Sequence, residues 1–440
     1  MPGAIVLTAF IMNIVKLATI SLRNLFRNSR RTLITVLVSA AGFAALAILA
    51  GYMDFSFYGL RELTVCKGFT AGGGTGHIQV FRSESLKKEE LFPMQYGIED
   101  SEKIRADIES IDEVSFTMPR IEFNGRISNG DKSISFMGLG VDPEKEAGLI
   151  QYWNSLEKMA GKTKMSDAAY RQLEKAGPYG VLLGQQMAKA LSAEVGTNLM
   201  LMSTTVDGAV NVVDVTVAGF IRGAMKSIDR HYLVAPLETA MILLQTDRVS
   251  KIVVVLKRTE DTSPVSGLVE AKISGHGGKV FFSVIPWEKL AEYYYSVRDV
   301  YNIIFSFTGI IVVAIVFLSC TNTMLMATME RVKEIGTLKA IGVSNVWVSM
   351  MFLLEGFFIG LLSVAGGLVF KYVFSVTINN SGFKMPPPPG MSSSYLLKIF
   401  SAVEFLPWIA LLIIFSTTLS GLLTLLKIRK ISIVDSLTHV

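Results

Sequence analysis

The chain has 440 residues, of which 50% are hydrophobic and only 18% carry a charge, and its mean hydropathy is +0.45. About a quarter of the residues in soluble domains are charged, so this balance excludes an ordinary soluble chain and predicts a membrane protein with a sizeable water-exposed part. The net charge of +5 comes without a basic patch interleaved with aromatic residues, which argues against nucleic-acid binding. Neither the cysteines nor the histidines show metal-ligand spacing, so we expect no metal site.

Residues 1–32 are predicted to form an amphipathic helix on the cytoplasmic surface of the membrane. Its basic residues alternate with apolar positions, namely Ile14, Leu17, Leu22, Leu25 and Phe26. The first fifteen residues resemble the apolar part of a signal peptide. They lack its basic start and its small-residue exit, so we expect them to be retained.

Four apolar stretches are long enough to cross a membrane, which takes about 20 residues. They cover residues 33–55, 299–328, 345–375 and 404–426. Basic residues precede the first stretch, separate the second from the third and follow the fourth. The positive-inside rule therefore places both termini, the 329–344 connector and the 427–440 tail in the cytoplasm. Residues 56–298 and the shorter loop 376–403 then face the other side.

Residues 56–298 are predicted to be one large extracytoplasmic domain of mixed α and β structure. Partly alternating, β-branched runs predict strands at 76–81, 133–141, 210–221 and 251–257. Helical patterns occur at 101–111, 184–195 and 237–245. The polar stretch 157–177 suggests a division into two lobes. No Ser-His-Asp order or carboxylate pair stands out, so we expect no catalytic residues and no enzyme.

The chain is not expected to bind ATP itself. A Gly-Lys pair occurs in the segment Ile273–Val280. A phosphate-binding P-loop would need Gly at the first of these positions and Ser or Thr at the last. Both requirements fail, so no cofactor is expected in this chain.

The cytoplasmic connector reads MERVKEIGTLKAIG, Met329–Gly342, and is unusually charged for its surroundings. Apolar residues recur at a spacing of three, at Val332, Ile335, Leu338 and Ile341, and predict one apolar stripe along a helix. The pattern alone is equally compatible with a solvated loop that holds positive charge inside and with a helix that docks on a partner.

The connector and the span after it resemble the permease core of the MacB/FtsX/LolC-LolE superfamily of ABC transporters. That family has Glu-Arg-x-x-Glu-Ile-Gly-x-Leu-(Lys/Arg)-Ala-(Ile/Leu)-Gly after its second span, and the layout of spans and outer domain is also similar. The resemblance implies that the connector is the coupling helix, which docks on a partner ATPase. The implied coupling residues are Glu330, Arg331, Lys333, Glu334, Ile335, Gly336, Leu338, Lys339, Ala340 and Gly342. One departure is the lack of the Tyr-Pro-Ala-x-x-Ala that ends the fourth span in many relatives.

The resemblance also implies the partners. A second permease, either another copy or a paralogue, and a cytoplasmic ABC ATPase dimer holding ATP and Mg²⁺ would assemble with this chain in the bacterial inner membrane. ATP-driven closure would move the outer domains without cargo crossing the membrane, which is mechanotransmission. Further implied contacts are membrane lipids and a periplasmic adaptor or lipoprotein carrier.

Three functions within the superfamily compete. The first is release of lipoprotein or other lipid-linked cargo from the outer leaflet. The second is MacB-type efflux or export through an adaptor and an outer-membrane channel. The third is FtsX-type signalling to cell-wall hydrolases, against which the size of the outer domain argues.

Three further sets of residues are candidates for function. Glu355 is an acid inside the third span, which indicates either a functional site or an ion pair near the cytoplasmic interface. Small residues that allow close helix packing are Gly356, Gly360, Gly366 and Gly367. Lipoprotein-handling relatives admit cargo near the outer end of the second span, where the implied cargo contacts here are Tyr293, Tyr294 and Tyr295.

Overall fold

The computed structural model describes residues 17–27, 29–69, 73–88, 94–156, 165–222, 228–275, 281–386 and 395–428. The chain divides into two compact units. The helical unit comprises Met1–Ser56, Asp299–Phe383 and Leu397–Val440. The sheet unit comprises Phe57–Arg298 and Lys384–Leu396.

The helices of the described residues, in chain order, begin with α1 at residues 17–27. They continue with α2 (Ser29–Cys66), α3 (Ser85–Lys88), α4 (Ser101–Glu109), α5 (Pro143–Ser155), α6 (Ala168–Ala176), α7 (Gln185–Leu191) and α8 (Leu237–Leu244). The last are α9 (Thr262–Ile273), α10 (Trp287–Leu290), α11 (Glu292–Glu330), α12 (Val332–Ala340), α13 (Asn345–Ser381) and α14 (Leu406–Ile428).

The strands are β1 (Ile78–Arg82), β2 (Val114–Ser128), β3 (Ser133–Val141), β4 (Gly180–Gly184), β5 (Asn198–Thr204), β6 (Val210–Ile221), β7 (Tyr232–Pro236), β8 (Lys251–Leu256) and β9 (Phe282–Pro286). A separate two-stranded pair is formed by β10 (Lys384–Met385) and β11 (Tyr395–Leu396).

The sheet unit is built on one nine-stranded sheet in the order β3-β7-β4-β6-β5-β2-β8-β1-β9. Strand β2 also pairs with β3, so six of the strands close into a ring. Strand β2 belongs both to this ring and to the remaining row of strands, β8-β1-β9. Its residues 114–120 pair with β8, and residues 126–128 pair with β5. The ring and the row therefore share one strand, and the two-lobe division stays a prediction.

Burial follows the residue pattern of each strand. Strand β8 is buried at every position, as its continuous Val-rich run predicts for a strand covered on both faces. Strand β5 alternates between exposed and buried positions, as a strand covered on one face does. The mixed α and β prediction for this domain is confirmed, with strands found as predicted at Ser133–Val141 and Val210–Ile221.

The helical unit contains three helices that are long and apolar enough to cross a membrane, within Ser29–Cys66, Glu292–Glu330 and Val346–Ser381. Helix α14 is the fourth apolar stretch, but its segment Leu406–Leu422 falls short of that length among the described residues. The structure thus supports three of the four predicted spans. Two helices are longer than the predicted spans, since α2 continues beyond residue 55 and α11 begins before residue 299.

Helix α1 has two apolar sides rather than the single face that the sequence suggested. Leu17 and Leu25 are buried within the helical unit, whereas Leu22 and Phe26 are exposed. Ile14 lies outside the described residues, as do most of the predicted N-terminal segment and the tail from residue 429 onward. The exposed pair is free to contact lipid, and the buried pair ties α1 to the other helices.

Candidate functional site

The connector is shorter than predicted, because Met329 and Glu330 belong to the end of α11. Arg331 forms a turn, and α12 then runs from Val332 to Ala340. Gly342 ends it with a φ of +97°, a conformation that favours glycine. The amide of Val343 donates to the carbonyl of Leu338 at 3.0 Å, which is the hydrogen bond of a Schellman C-cap. The connector is therefore a short helix with a defined stop.

Only the first half of the predicted apolar stripe is buried. Val332 and Ile335 are each 3% exposed, and Ile335 packs in a cluster with Val348 and Phe352. Leu338 is half-buried and Ile341 is 76% exposed. The stripe fails at Ile341 because α12 ends before it and the chain turns at Gly342.

The two acidic residues of the motif pair with basic residues of this same chain. Arg27 of α1 contacts Glu334 at 2.5 Å, and Arg31 of α2 contacts Glu330 at 2.5 Å. All four side chains are more than a third exposed, so each pair is worth less than about 1 kcal/mol. Glu330 and Glu334 thus face the N-terminal helices.

Glu355 forms a polar cluster, which we call the joint, with the buried Arg331 and the half-buried Asn24. Arg331 Nη1 donates to Glu355 Oε1 at 2.9 Å, and Asn24 Nδ2 donates to the same oxygen at 3.0 Å. Arg331 Nη2 donates to the backbone carbonyl of Asn24 at 3.1 Å. Both charged side chains are 8% exposed. The intramembrane acid therefore has an ion-pair partner at the connector.

The remaining motif residues divide between core and surface. Gly336 is buried, while an exposed connector surface is formed by Lys333, Thr337, Ala340, Ile341 and Gly342. The side chain of Lys339 lies outside the described ones. This surface combines the Lys333 cation with small and apolar groups that a partner can reach.

The glycines of α13 differ in how closely they are packed. A Cβ at Gly356 would lie 2.6 Å from the carbonyl oxygen of Thr417 on α14, and one at Gly360 would lie 2.6 Å from the Thr417 hydroxyl. A Cβ at Gly367 would lie 2.6 Å from the ring of Phe43 on α2. Gly366 is different, because its Cβ would meet only Ala40 at an ordinary 3.5 Å. Three of the four predicted packing glycines thus sit where no side chain fits without a shift.

The three tyrosines of α11 are not equally accessible. Tyr294 is buried, with its ring edge-on to Trp287 at a centroid distance of 5.2 Å. Its ring is part of the domain packing, and its role as a cargo contact stays a prediction. Tyr293 stacks at a tilt on Phe69 at 4.4 Å, and Arg298 lies 4.6 Å from the ring of Tyr295. Both are half-buried and leave part of the ring accessible.

A buried polar cluster around His77 in the sheet unit was not predicted from the sequence. The Nδ1 atom accepts from the amide of Leu256 at 3.0 Å, so the proton is on Nε2, which faces the Thr259 hydroxyl at 3.1 Å and that of Tyr152 at 3.3 Å. Thr259 in turn donates to the buried Glu62 at 2.9 Å. Burial lowers the pKa of His77 to about 3, so the ring is neutral. No sequence spacing signals this cluster, because the partners of His77 lie 75 and 182 residues away.

Arg120 forms a second missed cluster, buried in the sheet unit. Its Nε donates to Glu146 of α5 at 2.7 Å, and its Nη1 donates to the carbonyl of Gly74. The glycine-rich entry to β1 thus contributes the Gly74 carbonyl as an acceptor for this arginine. No group of three potential metal ligands occurs among the residues that the structure describes.

Two family profiles together match most of the chain. The MacB-like periplasmic core domain matches residues 32–272, and the FtsX-like permease C-terminal matches residues 306–433. The first covers more than half of the chain.

Individual relatives agree with these profiles. The chain is 41% identical over 80 residues to the ABC transporter permease YtrF of Bacillus subtilis (strain 168), covering 18% of each chain. It is 20% identical over 258 residues to the lipoprotein-releasing system transmembrane protein LolC of Neisseria meningitidis serogroup B, covering 57% of this chain and 59% of that one. The matches thus span less than two thirds of these relatives. The crystal structure of the periplasmic region of MacB from Actinobacillus actinomycetemcomitans aligns with a TM-score of 0.34 and 11% identity, covering 49% of this chain and 91% of that one.

The spans of the helical unit, the α and β domain between them and the two profile matches agree with one another. The chain belongs to the MacB/FtsX/LolC family of ABC transporter permeases.

Proposed function

We propose that this chain is the membrane subunit through which a separate cytoplasmic ATPase drives movement of an extracytoplasmic domain. The connector surface, Lys333, Thr337, Ala340, Ile341 and Gly342, is the proposed docking site for that ATPase. The observation that carries the proposal is the division of the motif. Its acidic residues and Arg331 pair within the chain, while an apolar side chain at Ile341, directly after the short helix α12, is left 76% exposed.

An exposed isoleucine at this position suits a protein partner better than solvent. Interface cores are depleted in charge and use apolar anchors, and a lone cation at the edge adds orientation. Lys333 supplies such a cation on the same helix. The five basic residues Lys16, Arg23, Arg27, Arg30 and Arg31 support placing the connector and both termini in the cytoplasm.

A second permease, as a copy or a paralogue, is part of the proposal. Helix α11 leaves a row of large apolar side chains exposed within the described helical unit, namely Ile303, Phe307, Ile310 and Leu318. This row has helical spacing and is suited to lipid or to another permease chain. A fourth span at α14 would place the C-terminal tail in the cytoplasm.

Lipoprotein or other lipid-linked cargo is the proposed substrate class. The likeness to LolC, a lipoprotein-releasing transmembrane protein, favours this cargo over efflux or signalling. Tyr293 and Tyr295 are the proposed cargo contacts, since both rings are partly accessible where the sheet unit enters α11. A periplasmic adaptor or lipoprotein carrier would then receive the cargo.

The test is purification of the tagged full chain from its native host in mild detergent, followed by mass spectrometry. We expect an ABC ATPase to accompany the wild-type chain and to be lost from Ile341→Asp. Val403→Asp is the matched control, because Val403 is a similarly exposed apolar residue, at 65%, in the loop before α14. Absence of an ATPase from the wild-type preparation, or equal retention by both variants, would contradict the proposal. A co-purifying lipoprotein would support the cargo class, whereas an outer-membrane channel would favour efflux.

A further inference from the structure

Besides the apolar packing of Ile335, the connector makes polar contacts of two different strengths with the rest of the helical unit. The exposed pairs Arg27–Glu334 and Arg31–Glu330 lie in solvent, where ion pairs are weak and screened by salt. The charged side chains of the joint, Arg331 and Glu355, are buried. A buried charge that loses its partner is strongly disfavoured, so the joint resists separation far more than the exposed pairs do.

The joint connects α1, α13 and the turn before α12 through one carboxylate oxygen. Glu355 Oε1 on α13 accepts from Arg331 at the start of the connector and from Asn24 on α1. The Ser21 hydroxyl adds a hydrogen bond from α1 to the carbonyl of Met351 on α13, at 3.1 Å. A displacement of the connector therefore cannot leave α1 and α13 in place without breaking buried hydrogen bonds.

The surroundings of the joint leave room for it to shift. A cavity of about 30 Å³ adjoins it, and its mixed lining includes the polar side chains of Arg331, Glu355, Thr35 and Thr323 beside apolar ones. Arg331 Nε is buried and makes no hydrogen bond within the described residues. A cavity of this size with these polar groups can hold one or two waters, which would supply a partner to this donor as the side chain moves.

We propose that Arg331, Glu355 and Asn24 are positioning residues that make α1, the connector and α13 move as one body. The joint, rather than the exposed pairs, would carry the displacement imposed at the connector surface into the membrane. This inference rests on the proposed function, since it presumes an ATPase at the connector.

The experiment uses the full chain, purified with its ATPase and reconstituted in lipid nanodiscs. Spin labels are placed by Phe26→Cys on α1 and Met329→Cys at the start of the connector, both exposed positions outside the connector surface, and the native Cys66 and Cys320 are buried. The distance between the labels is measured without nucleotide and after trapping with ATP and vanadate. ATP turnover by the bound ATPase is measured in parallel.

We expect the label distance to be the same in both nucleotide states for the wild-type joint. In Glu355→Gln we expect the ATPase to stay bound, the distance to change on trapping, and turnover to fall roughly tenfold, as for a residue that carries coupling between sites. Arg27→Gln, which breaks only an exposed pair, is the matched control and should keep the wild-type distance and turnover within about twofold. The double variant Arg331→Glu with Glu355→Arg should recover much of both readouts and provides the test if the single variant does not accumulate.

A Glu355→Gln variant that binds ATPase, keeps the label distance and turns over ATP like the wild type would overturn the joint while leaving the proposed function intact. A distance that changes on trapping in the wild-type chain would also overturn it. A wild-type chain that captures no ATPase would overturn the proposed function, and the inference with it.

Discussion

Both units of the molecule bury an arginine against a carboxylate, but they do so in different settings. In the sheet unit, Arg120 and Glu146 are 0% and 5% exposed and are enclosed by β2, α5 and the glycine-rich entry to β1. In the helical unit, Arg331 and Glu355 adjoin a small cavity and are flanked by exposed ion pairs. The Arg120–Glu146 pair is thus enclosed on all these sides, whereas the Arg331–Glu355 pair has space beside it in which to shift.

The largest effect should come from breaking the enclosed pair. Glu146→Gln leaves the Arg120 guanidinium buried without its counter-charge, and we expect the free energy of unfolding of the sheet unit to fall by about 3–5 kcal/mol. Hydrogen exchange of the β2 amides in the full chain measures this loss. The surface variant Arg171→Gln, whose side chain is 61% exposed in its pair with Asp167, should cost far less. Equal losses of stability in the two variants would show that enclosing an ion pair does not make its removal more costly.

The second-largest effect on stability is expected from the packing of α13 against α14 beside the joint. Gly356→Ala places a Cβ about where the Thr417 carbonyl stands, at 2.6 Å, and should force α13 and α14 apart. Overpacking of this kind costs about 1–3 kcal/mol, so a clear drop in the melting temperature of the purified chain is expected. Gly366→Ala is the control, because its Cβ meets Ala40 at 3.5 Å and should leave melting nearly unchanged. A tolerated Gly356→Ala would mean that the two helices are not closely packed.

The His77 cluster makes the sheet unit sensitive to acid. Burial lowers the pKa of His77 to about 3, whereas an unfolded histidine titrates near 6.5. The unfolded chain therefore binds the proton first, and the stability that neutral His77 contributes is lost as the pH falls from about 6.5 toward 3. We expect a slope of about 1.4 kcal/mol per pH unit from this residue in that window.

Hydrogen exchange of the β1 amides as a function of pH checks the slope. The His77→Gln variant retains a donor toward Thr259 but does not titrate, so its profile should be flatter by that amount. Identical pH profiles in the two proteins would show that His77 is protonated or exposed in the folded chain.

The smallest effect is expected for the exposed connector pairs. Arg27→Gln removes one 2.5 Å contact in solvent and should lower stability by less than about 1 kcal/mol, and less again at high salt. Thermal melting at low and high ionic strength measures both quantities. A large loss of stability that does not depend on salt would show that Arg27, like Arg331, forms a buried ion pair.

Local features of the fold could be predicted from the sequence, and long-range ones could not. The β-branched runs of β3 and β8 and the helical period of α4 and α8 carry their own signals, and the elements are found there. Strand β2 was missed because Pro119 and Gly125 interrupt its pattern, and it is the strand that both parts of the sheet share. A proline in a central strand is uncommon enough to argue against one.

The same limit applies to the site. The charged connector motif was visible in the sequence, but the direction of each side chain was not. Glu355 had an unknown partner because Asn24 is 331 residues away, and only the fold brings it to the same carboxylate as Arg331. The pattern placed Ile341 on the apolar stripe. Its exposure follows from the turn at Gly342, and this turn depends on backbone geometry that the spacing of apolar residues does not show.

The central claim is that an ATPase contacts the connector surface, and site-directed cross-linking tests it most directly. Ile341→Cys and the control Val403→Cys would each be introduced into the tagged full chain and treated in native membranes with a short bifunctional cross-linker that joins a thiol to an amine. We predict an adduct of the chain with an ABC ATPase from Ile341→Cys and none from Val403→Cys. The same adduct from both positions, or none from Ile341→Cys in membranes where the ATPase co-purifies, would contradict the account.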